Sequence, residues 1–247
     1  MANIKLTVAY DGTAYCGWQI QNDDDTIQGR METALEKLHG HPVKLTGAGR
    51  TDSGVHARGQ CANFITGMTM PPEKFREALN SFLPPDIRIL KSEEVEDSFH
   101  ARYDATERIY KYYMLPRALS YPWLERYCLT VKSAPDINRL NELVSPLVGL
   151  HSFASFASVM EDGYPMERTV NSAVFYQKNG YTVFKISADG FLRRMVRSIV
   201  GTVLDLYEKG EDGKAMKAVL DARDRSAAGA CAAAKGLFLD QVIYGKH

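Results

Sequence analysis

The chain has 247 residues, of which 45% are hydrophobic and 24% are charged. This length and composition predict a soluble globular protein with one large domain or two smaller ones, which can bury a sizeable core, so neither disorder nor disulfide stapling has to be invoked. The net charge is +0, with 30 basic and 30 acidic residues. Nucleic-acid binding would therefore need a local basic surface, because the overall charge offers none.

No apolar run approaches the roughly 18 residues that are needed to cross a membrane. The opening segment, MANIKLTVAYDG, lacks the basic, apolar and small-residue regions of a signal peptide, which predicts an intracellular protein. The four cysteines have neither CxxC pairs nor zinc-ligand spacing. We expect them to be free thiols in a reducing compartment.

Hydrophobic periodicity in the first half predicts an alternation of strands and helices. The acidic run at 23–25 suits a helix N-terminus, with Asp25 or Thr26 as the cap. The predicted elements are a strand (4–10), a helix (27–38), two strands (43–46 and 60–66), a helix from Pro71 to before Pro84, and a strand (87–90). This β-α-β-β-α-β order is that of a ferredoxin-like unit, whose helices cover one face of an antiparallel sheet.

The second half repeats this order in outline. The predicted elements are a strand (108–115), an irregular stretch (121–129), a helix (137–147), a loop (151–156), a hairpin (168–177 and 181–187) around Asn179-Gly180, helices (191–207 and 214–220), a small-residue segment (224–235) and a strand (236–244). We therefore predict an α+β chain of two pseudo-duplicated ferredoxin-like halves, residues 1–100 and 101–247. Their sheets are expected to join around a central active-site cleft.

One glycine-rich loop, GAGRTDSGVHA at 47–57, concentrates residues that could carry chemistry. Glycine lets the backbone approach a ligand closely or adopt a positive φ. A free aspartate has a pKa of about 3.9, so Asp52 is expected to be ionised and able to act as a nucleophile or a base. The alternatives are a plain turn, or a structural clamp between Asp52 and Arg50.

Other chemistries fit the same loop less well. A hydrolase built on Asp52, Ser53 and His56 would place the serine on a GxSxG elbow between a strand and a helix, whereas a strand follows here. A nucleotide-binding loop would also need a helix immediately after its glycines. No second histidine or cysteine stands at metal-ligand spacing from His56, so a metal site is not predicted.

Two further segments carry basic and aromatic residues. In RIYKYYM, a strand would point Arg108, Tyr110 and Tyr112 to one face, where an unpaired base could stack, although half-buried core tyrosines give the same pattern. Arg193 and Arg197 stand at i, i+4 spacing on the predicted helix at 191–207, with Arg194 beside them. This arrangement predicts either an anion site or a solvated helix face.

Together these segments resemble the tRNA pseudouridine synthase A family. The loop GRTDSGVHA resembles the family's GRTDxGVHA signature, and YDGTAYCGWQ, FHARYDATERIYKY, FLRRMVRSIVG and RSAAGACAAAKGLFLDQVIY resemble family segments in the same order. The resemblance spans nearly the whole chain. Two departures are Ser53, where alanine is frequent, and AAAKGL, where APAxGL is more usual.

The resemblance implies an enzyme that isomerises uridine to pseudouridine in the anticodon stem-loop of tRNA, at positions 38, 39 and 40. It implies that Asp52 is the catalytic aspartate, that Tyr110 stacks on the target base, that Arg50 helps to extrude the nucleotide and that Arg197 pairs with Asp52. It further implies a cytoplasmic homodimer without a cofactor, metal or membrane partner. A non-catalytic RNA chaperone and a hydrolase based on Asp52 and His56 are the alternatives.

Overall fold

The computed structural model describes residues 1–21, 24–158 and 163–245. Within them the chain forms ten strands and five α-helices. The strands are β1 (Ala2–Tyr10), β2 (Thr46–Gly47), β3 (His56–Thr66), β4 (Ile87–Val95), β5 (Ala105–Pro116), β6 (Leu129–Val131), β7 (Gly149–Ser152), β8 (Glu167–Lys178), β9 (Tyr181–Ala188) and β10 (Leu237–Tyr244). The helices are α1 (Ile27–His39), α2 (Lys74–Asn80), α3 (Ile137–Val144), α4 (Met195–Lys209) and α5 (Gly213–Ala222).

The chain divides into two compact units. The first comprises Met1–Thr106 with Phe238–His247, and the second comprises Glu107–Leu237. The last strand, β10, thus belongs to the first unit although it follows the second unit along the chain. The mixed α+β class is confirmed, whereas the interpretation of each half as a ferredoxin-like duplicate stays a prediction.

The first unit is built on β1, which pairs antiparallel with β3 on one side and with β4 on the other. β2 pairs antiparallel with β3, and β10 pairs parallel with the start of β3. The helix α1 begins at the predicted place because Thr26 accepts a hydrogen bond from the Gly29 amide, and it ends at Gly40, whose φ is 75°. Asp25 is therefore not the cap, and Asp23 of the predicted acidic run lies outside the described residues.

The second unit is built on four antiparallel strands in the order β5-β9-β8-β7, with β6 parallel to β5. The predicted hairpin is confirmed between β8 and β9. Its Asn179 and Gly180 have φ values of 51° and 81°, the left-handed pair that an Asn-Gly turn favours. The helices α3, α4 and α5 contact one another, and α3 also packs on β8.

Residues 43–45 were predicted as strand, and this prediction is wrong. Val43 and Leu45 are buried, which explains the alternating pattern. The backbone of Leu45, however, bonds to side chains of α1: its amide donates to Glu32 Oε1 at 3.1 Å, and its carbonyl accepts from Gln28 Nε2 at 3.1 Å. Side-chain partners thus take the place of a neighbouring strand.

Other boundaries also differ from the prediction. The strand β3 begins at His56 rather than residue 60, α2 spans only Lys74–Asn80, and part of the predicted loop at 151–156 belongs to β7. Among the described residues, no helix has both the length and the apolar character that crossing a membrane would require.

The helix α4 begins at Met195, four residues later than predicted. Arg194 has a φ of 63°, a left-handed conformation that a right-handed helix does not contain, and the Arg193 carbonyl accepts the Ser158 amide at 3.1 Å. The prediction that Arg193 and Arg197 share a helix face is therefore wrong, because Arg193 precedes the helix.

Candidate active site

The turn that carries Asp52 is defined by its own backbone. The Val55 amide donates to the Asp52 carbonyl at 3.1 Å, which closes a four-residue turn. Gly54 occupies the third position with a φ of 75°, where a side chain would be strained. Ser53 Oγ and the Gly54 amide both donate to the Tyr15 carbonyl, at 3.2 and 3.3 Å. The turn is thus attached to the segment that follows β1.

Gly17 and Trp18 contact the backbone of this turn directly. The Trp18 amide donates to the Thr51 carbonyl at 3.1 Å. A β-carbon at Gly17 would lie 2.5 Å from the Thr51 oxygen, a distance at which something must shift, and 3.1 Å from the Asp52 carbonyl carbon, which is also tight. The indole of Trp18, which is buried, lies against Gly47 in the same way. Glycine at these positions therefore permits backbone and ring to approach the loop.

A buried hydrogen bond fixes the residue that precedes Asp52. Thr51 is buried, and its hydroxyl bonds to the Tyr10 hydroxyl at 2.8 Å. Burial raises the pKa of Tyr10 above its usual range, so the phenol stays protonated and able to share this bond. The bond from Tyr10 of β1 to Thr51 and the close contact of Gly17 with the Thr51 carbonyl together position Asp52.

Arg50 and Asp52 share the loop but do not pair with each other. Arg50 is exposed, and among the described residues its side chain makes neither an ion pair nor a hydrogen bond. Asp52 is half-buried. The interpretation of the two residues as a structural clamp is therefore wrong, and Arg50 is directed to solvent at the edge of the loop.

His56 has a structural position. It is 1% exposed, and its ring stacks on Phe238 with centroids 4.6 Å apart. Its Nδ1 lies 3.1 Å from both the Gly12 amide and Asp11 Oδ1, so this nitrogen accepts from the amide when bare and donates to the carboxylate when protonated. These contacts hold the segment after β1 against the start of β3.

Tyr110 lies in the second unit, on β5 opposite Ile186 of β9. It is 8% exposed, and its ring meets Phe191 edge to face with centroids 5.0 Å apart. The neighbouring Tyr112 is completely buried and donates to the Ala233 carbonyl at 2.8 Å. The two tyrosines on the predicted aromatic face thus differ, since Tyr112 belongs to the core and Tyr110 reaches its margin.

Arg197 lies in the first turn of α4, also in the second unit. Its Nε donates to the Ala232 carbonyl at 2.8 Å, and the Ala232 amide donates back to the Arg197 carbonyl at 3.0 Å. Burial raises the pKa of Tyr112, and the positive charge of Arg197 partly opposes this increase. The guanidinium is thus oriented by a backbone carbonyl of the small-residue segment.

The small-residue segment lies directly on α4. A β-carbon at Gly201 would fall far inside contact distance of the Ala230 carbonyl oxygen. The Gly229 amide donates to Thr202 Oγ1 at 2.9 Å. Alanine and glycine in this segment therefore allow backbone to pack on a helix, a role that the sequence analysis did not assign to the small-residue segment.

The structure places Arg50 and Asp52 on one loop of the first unit, and Tyr110 and Arg197 on regular elements of the second. Sequence reasoning missed the supporting residues Tyr10, Gly17, Thr51, Phe191 and Ala232. The segments YDGTAYCGWQ and RSAAGACAAAKG carry the relevant signal, because isolated glycines and runs of small residues are compatible with a close backbone approach. In the part of the chain that the structure describes, no three His, Cys, Asp or Glu residues form a metal-ligating group.

Known proteins resemble this chain along its whole length. The family model described as tRNA pseudouridine synthase matches residues 6–104 and 143–245. A protein of Borrelia turicatae is 40% identical over 244 residues, 99% of this chain and 100% of that protein. A protein of Treponema denticola is 41% identical and covers 98% of this chain and 92% of its own length, and one of Exiguobacterium sp. is 38% identical with 100% and 99% covered.

All three relatives are named tRNA pseudouridine synthase A. A solved structure from Galdieria sulphuraria, described as an unknown protein, shares 13% identity over 85% of this chain and 92% of its own, with a TM-score of 0.24 that supports no argument. The sequence matches define an RNA-modifying isomerase. The chain belongs to the tRNA pseudouridine synthase A family, whose members act on uridine in tRNA.

Proposed function

We propose that this protein isomerises uridine to pseudouridine in the anticodon stem-loop of tRNA, at positions 38, 39 and 40, with Asp52 as its catalytic aspartate. The family supports the isomerisation of tRNA uridine. The observation that carries the role of Asp52 is its turn, which is closed by the Val55 amide and pressed against Gly17. Such a turn presents one half-buried carboxylate in a fixed place.

The chemistry accounts for a single fixed carboxylate. The bond from N1 to C1′ breaks, the uracil rotates, and C5 forms a bond to C1′ and loses its proton, while N1 ends protonated. Asp52 assists by attacking C1′, by attacking C6, or by taking a proton in a glycal route. All three routes use an ionised carboxylate held close to the ribose, for which positioning supplies much of the rate.

The remaining predicted residues bind the substrate. The target nucleotide must leave its stack, at a cost of a few kcal/mol. We assign Arg50 to the vacated position, because it is exposed beside the Asp52 turn. Tyr110 stacks on the extruded base, and Arg197 is a further substrate-site cation whose orientation comes from the Ala232 carbonyl. The family resemblance also supports a cytoplasmic homodimer that needs no cofactor or metal.

The decisive experiment replaces Asp52 with asparagine. The Asp52→Asn protein is incubated with unmodified tRNA, and pseudouridine is mapped by carbodiimide treatment and primer extension. We expect no product at positions 38, 39 or 40, with tRNA affinity within about threefold of the wild type because the amide keeps the shape of the carboxylate. Product formation by this variant would overturn the assignment.

The matched control is Asp25→Asn, which removes one surface carboxylate of the same unit. Asp25 pairs with Arg30 at 2.6 Å, and both residues are exposed. Its loss is expected to change stability by less than about 1 kcal/mol and to leave the product unchanged.

An RNA chaperone would differ from an enzyme in this assay, because wild-type protein would bind tRNA without forming pseudouridine.

The hydrolase alternative is tested at His56. His56→Asn keeps a side-chain oxygen where Nδ1 accepts the Gly12 amide, but it loses the stack on Phe238. We expect a lower melting temperature and a turnover within about fivefold of wild type at temperatures where the variant is folded. A hydrolase would instead lose turnover and would release a cleaved product from tRNA.

Tyr110→Phe tests the stacking role in the second unit. The phenyl ring keeps its edge-to-face contact with Phe191, so we expect tRNA affinity close to that of the wild type. Tyr110→Leu removes the aromatic face and is expected to weaken binding about tenfold. Equal affinity for the two variants would contradict stacking by Tyr110.

A further inference from the structure

An exposed aromatic residue stands on the turn that joins β4 to β5. Tyr103 is 75% exposed, and its ring stacks on that of His100 with centroids 4.2 Å apart and planes inclined by 28°. The guanidinium of Arg102 lies 5.7 Å from the Tyr103 ring centroid. The chain therefore presents a stacked aromatic pair with a cation over its tyrosine ring, and this tyrosine remains largely exposed to solvent.

Hydrogen bonds within the turn hold this pair in place. His100 Nδ1 accepts the amides of Arg102 and Tyr103, at 3.2 and 3.3 Å. The His100 amide donates to Asp104 Oδ2 at 2.7 Å, and the Asp104 amide donates to the His100 carbonyl at 3.1 Å. The orientation of the imidazole on which Tyr103 stacks is thus set by the backbone of the turn.

The same turn is anchored in the body of the first unit. The Ala101 amide donates to Asn63 Oδ1 at 3.0 Å, and the Ala101 carbonyl accepts the Tyr244 hydroxyl at 2.7 Å. Asn3 Nδ2 donates to the Phe99 carbonyl at 2.8 Å, and Asn63 Nδ2 donates to Asn3 Oδ1 at 2.9 Å. This buried amide pair fixes the backbone on either side of His100.

The hydrophobic cluster beneath the turn also contains the start of the Asp52 loop. Phe99 and Ala101 pack with Cys61 and Ala48, and Ala48 stands two residues before Arg50. The Ala48 amide donates to the Cys61 carbonyl at 2.8 Å. The start of the Asp52 loop and the base of the Tyr103 turn therefore pack on the same hydrophobic cluster.

We propose that Tyr103, backed by His100 and flanked by Arg102, binds a second unpaired nucleotide of the tRNA substrate, apart from the target uridine. The inference rests on the proposed function. A base stacks on the exposed ring of Tyr103, and Arg102 contacts the adjoining phosphate. An aromatic face with a cation beside it suits a nucleotide of any sequence, since every base has a π-face. Such a contact positions tRNA without taking part in the chemistry.

The experiment compares Tyr103→Leu with Tyr103→Phe in the full-length protein. The probe is unmodified tRNA, with the Kd measured by filter binding and the rate measured in a single turnover at saturating tRNA. We expect Tyr103→Leu to raise the Kd about tenfold and to leave the single-turnover rate within about twofold. Tyr103→Phe keeps the ring and should bind as the wild type does.

Phe82→Leu provides the matched control, because Phe82 is another exposed aromatic residue of the first unit, 43% exposed. It should change neither the Kd nor the rate. Arg102→Gln tests the phosphate contact, for which we expect a salt dependence of log Kd lower by about one unit of slope. An unchanged slope would exclude that contact.

Three results would overturn the stacking proposal. The first is an unchanged Kd for Tyr103→Leu. The second is an equal loss of tRNA affinity in Tyr103→Phe, which would indicate a contact through the hydroxyl group. The third is a loss of tRNA affinity that accompanies a change in the sedimentation coefficient of the protein, which would indicate contact with a second copy of the chain. Failure of the proposed function is distinguishable, since a wild-type protein that binds tRNA but forms no pseudouridine would leave the Kd series interpretable.

Discussion

The Asp52 loop and the surroundings of Arg197 both depend on a close contact between a glycine and a backbone carbonyl, but the contact has a different consequence in each. In each, a glycine lets a backbone carbonyl press closely: Gly17 against Thr51 and Gly201 against Ala230. In the first unit, the backbone that Gly17 contacts belongs to the loop that carries the functional carboxylate of Asp52. In the second unit, the functional residue Arg197 belongs to the helix α4, and the small-residue segment that contacts this helix supplies the Ala232 carbonyl that orients the guanidinium.

This difference predicts how a substitution in each region affects the protein. A loop whose backbone is displaced misplaces its side chain but leaves the core intact. A segment displaced from a helix loses packing as well as orientation. We therefore expect substitutions around Asp52 to affect the rate most, and substitutions around Arg197 to affect stability most.

The largest effect is expected for Gly17→Ala. A β-carbon there would lie 2.5 Å from the Thr51 oxygen, and the φ of 95° is itself unfavourable for alanine. Displacing the Asp52 turn by about 1 Å should lower kcat/KM about 100-fold. The measurement is initial-rate pseudouridine formation on unmodified tRNA. Gly67→Ala, which has open space around it, is the control and should keep full activity. Equal rates for the two variants would show that the turn does not depend on the Gly17 contact.

Gly201→Ala should chiefly lower stability. The added methyl group would displace the Ala230 carbonyl from α4 at a cost of about 2–3 kcal/mol in the free energy of unfolding, measured with urea. Gly210→Ala is the control, because it has a φ of 78° but nothing within contact distance, and it should cost about 1 kcal/mol. If Gly201→Ala were the milder of the two, close packing on α4 would not be what holds this segment.

A double-mutant cycle at Tyr10 and Thr51 sharpens the description of the first region. Thr51→Val leaves the buried Tyr10 hydroxyl without this partner and should cost about 1–2 kcal/mol in urea unfolding. Tyr10→Phe should cost a similar amount. Because both changes break one bond, the double variant should lose about 1 kcal/mol less than their sum. Strict additivity would mean that the two hydroxyl groups do not support each other.

The smallest effect concerns the end of the small-residue segment in the second unit. A hydrogen bond from Lys235 at 2.8 Å, with others from Thr130 and Ser120, lowers the pKa of Glu125 from 4.5 to about 2. Because the folded-state value is the lower one, these contacts stabilise fully above pH 4.5 and are lost as the pH falls through 2. Lys235→Met should raise the pKa of the Glu125 carboxylate in an NMR titration and leave activity within about twofold, since the pair is exposed. A titration near 4.5 in the wild type would contradict this pairing.

Local patterns were sufficient for several elements. The spacing of Ile27, Met31 and Leu35, with Thr26 before them, predicted α1 because a helix buries one face and needs a cap. Asn179-Gly180 predicted the hairpin because few other residues accept two consecutive positive φ values. In both cases the determining contacts lie within a few residues of one another.

Boundaries that depend on distant partners were not predictable in this way. The alternation at 43–45 mimics a strand, yet side chains of α1 take the Leu45 backbone bonds. The pattern at 191–194 continues that of α4, yet Arg194 has a positive φ and the Arg193 carbonyl bonds to Ser158. A period-3.6 pattern records which side chains face the core, and it does not record where the backbone finds its hydrogen bonds.

The sequence by itself determined the family, the α+β class and the identity of the glycine-rich loop, because these depend on residue types in a fixed order. Only the tertiary structure decided that His56 is a buried support stacked on Phe238, that Arg50 does not pair with Asp52, and that Tyr112 is core while Tyr110 lies at its margin. A histidine, an arginine or a tyrosine has the same chemical groups in either setting. Burial and partners, which come from residues far away along the chain, assign the role.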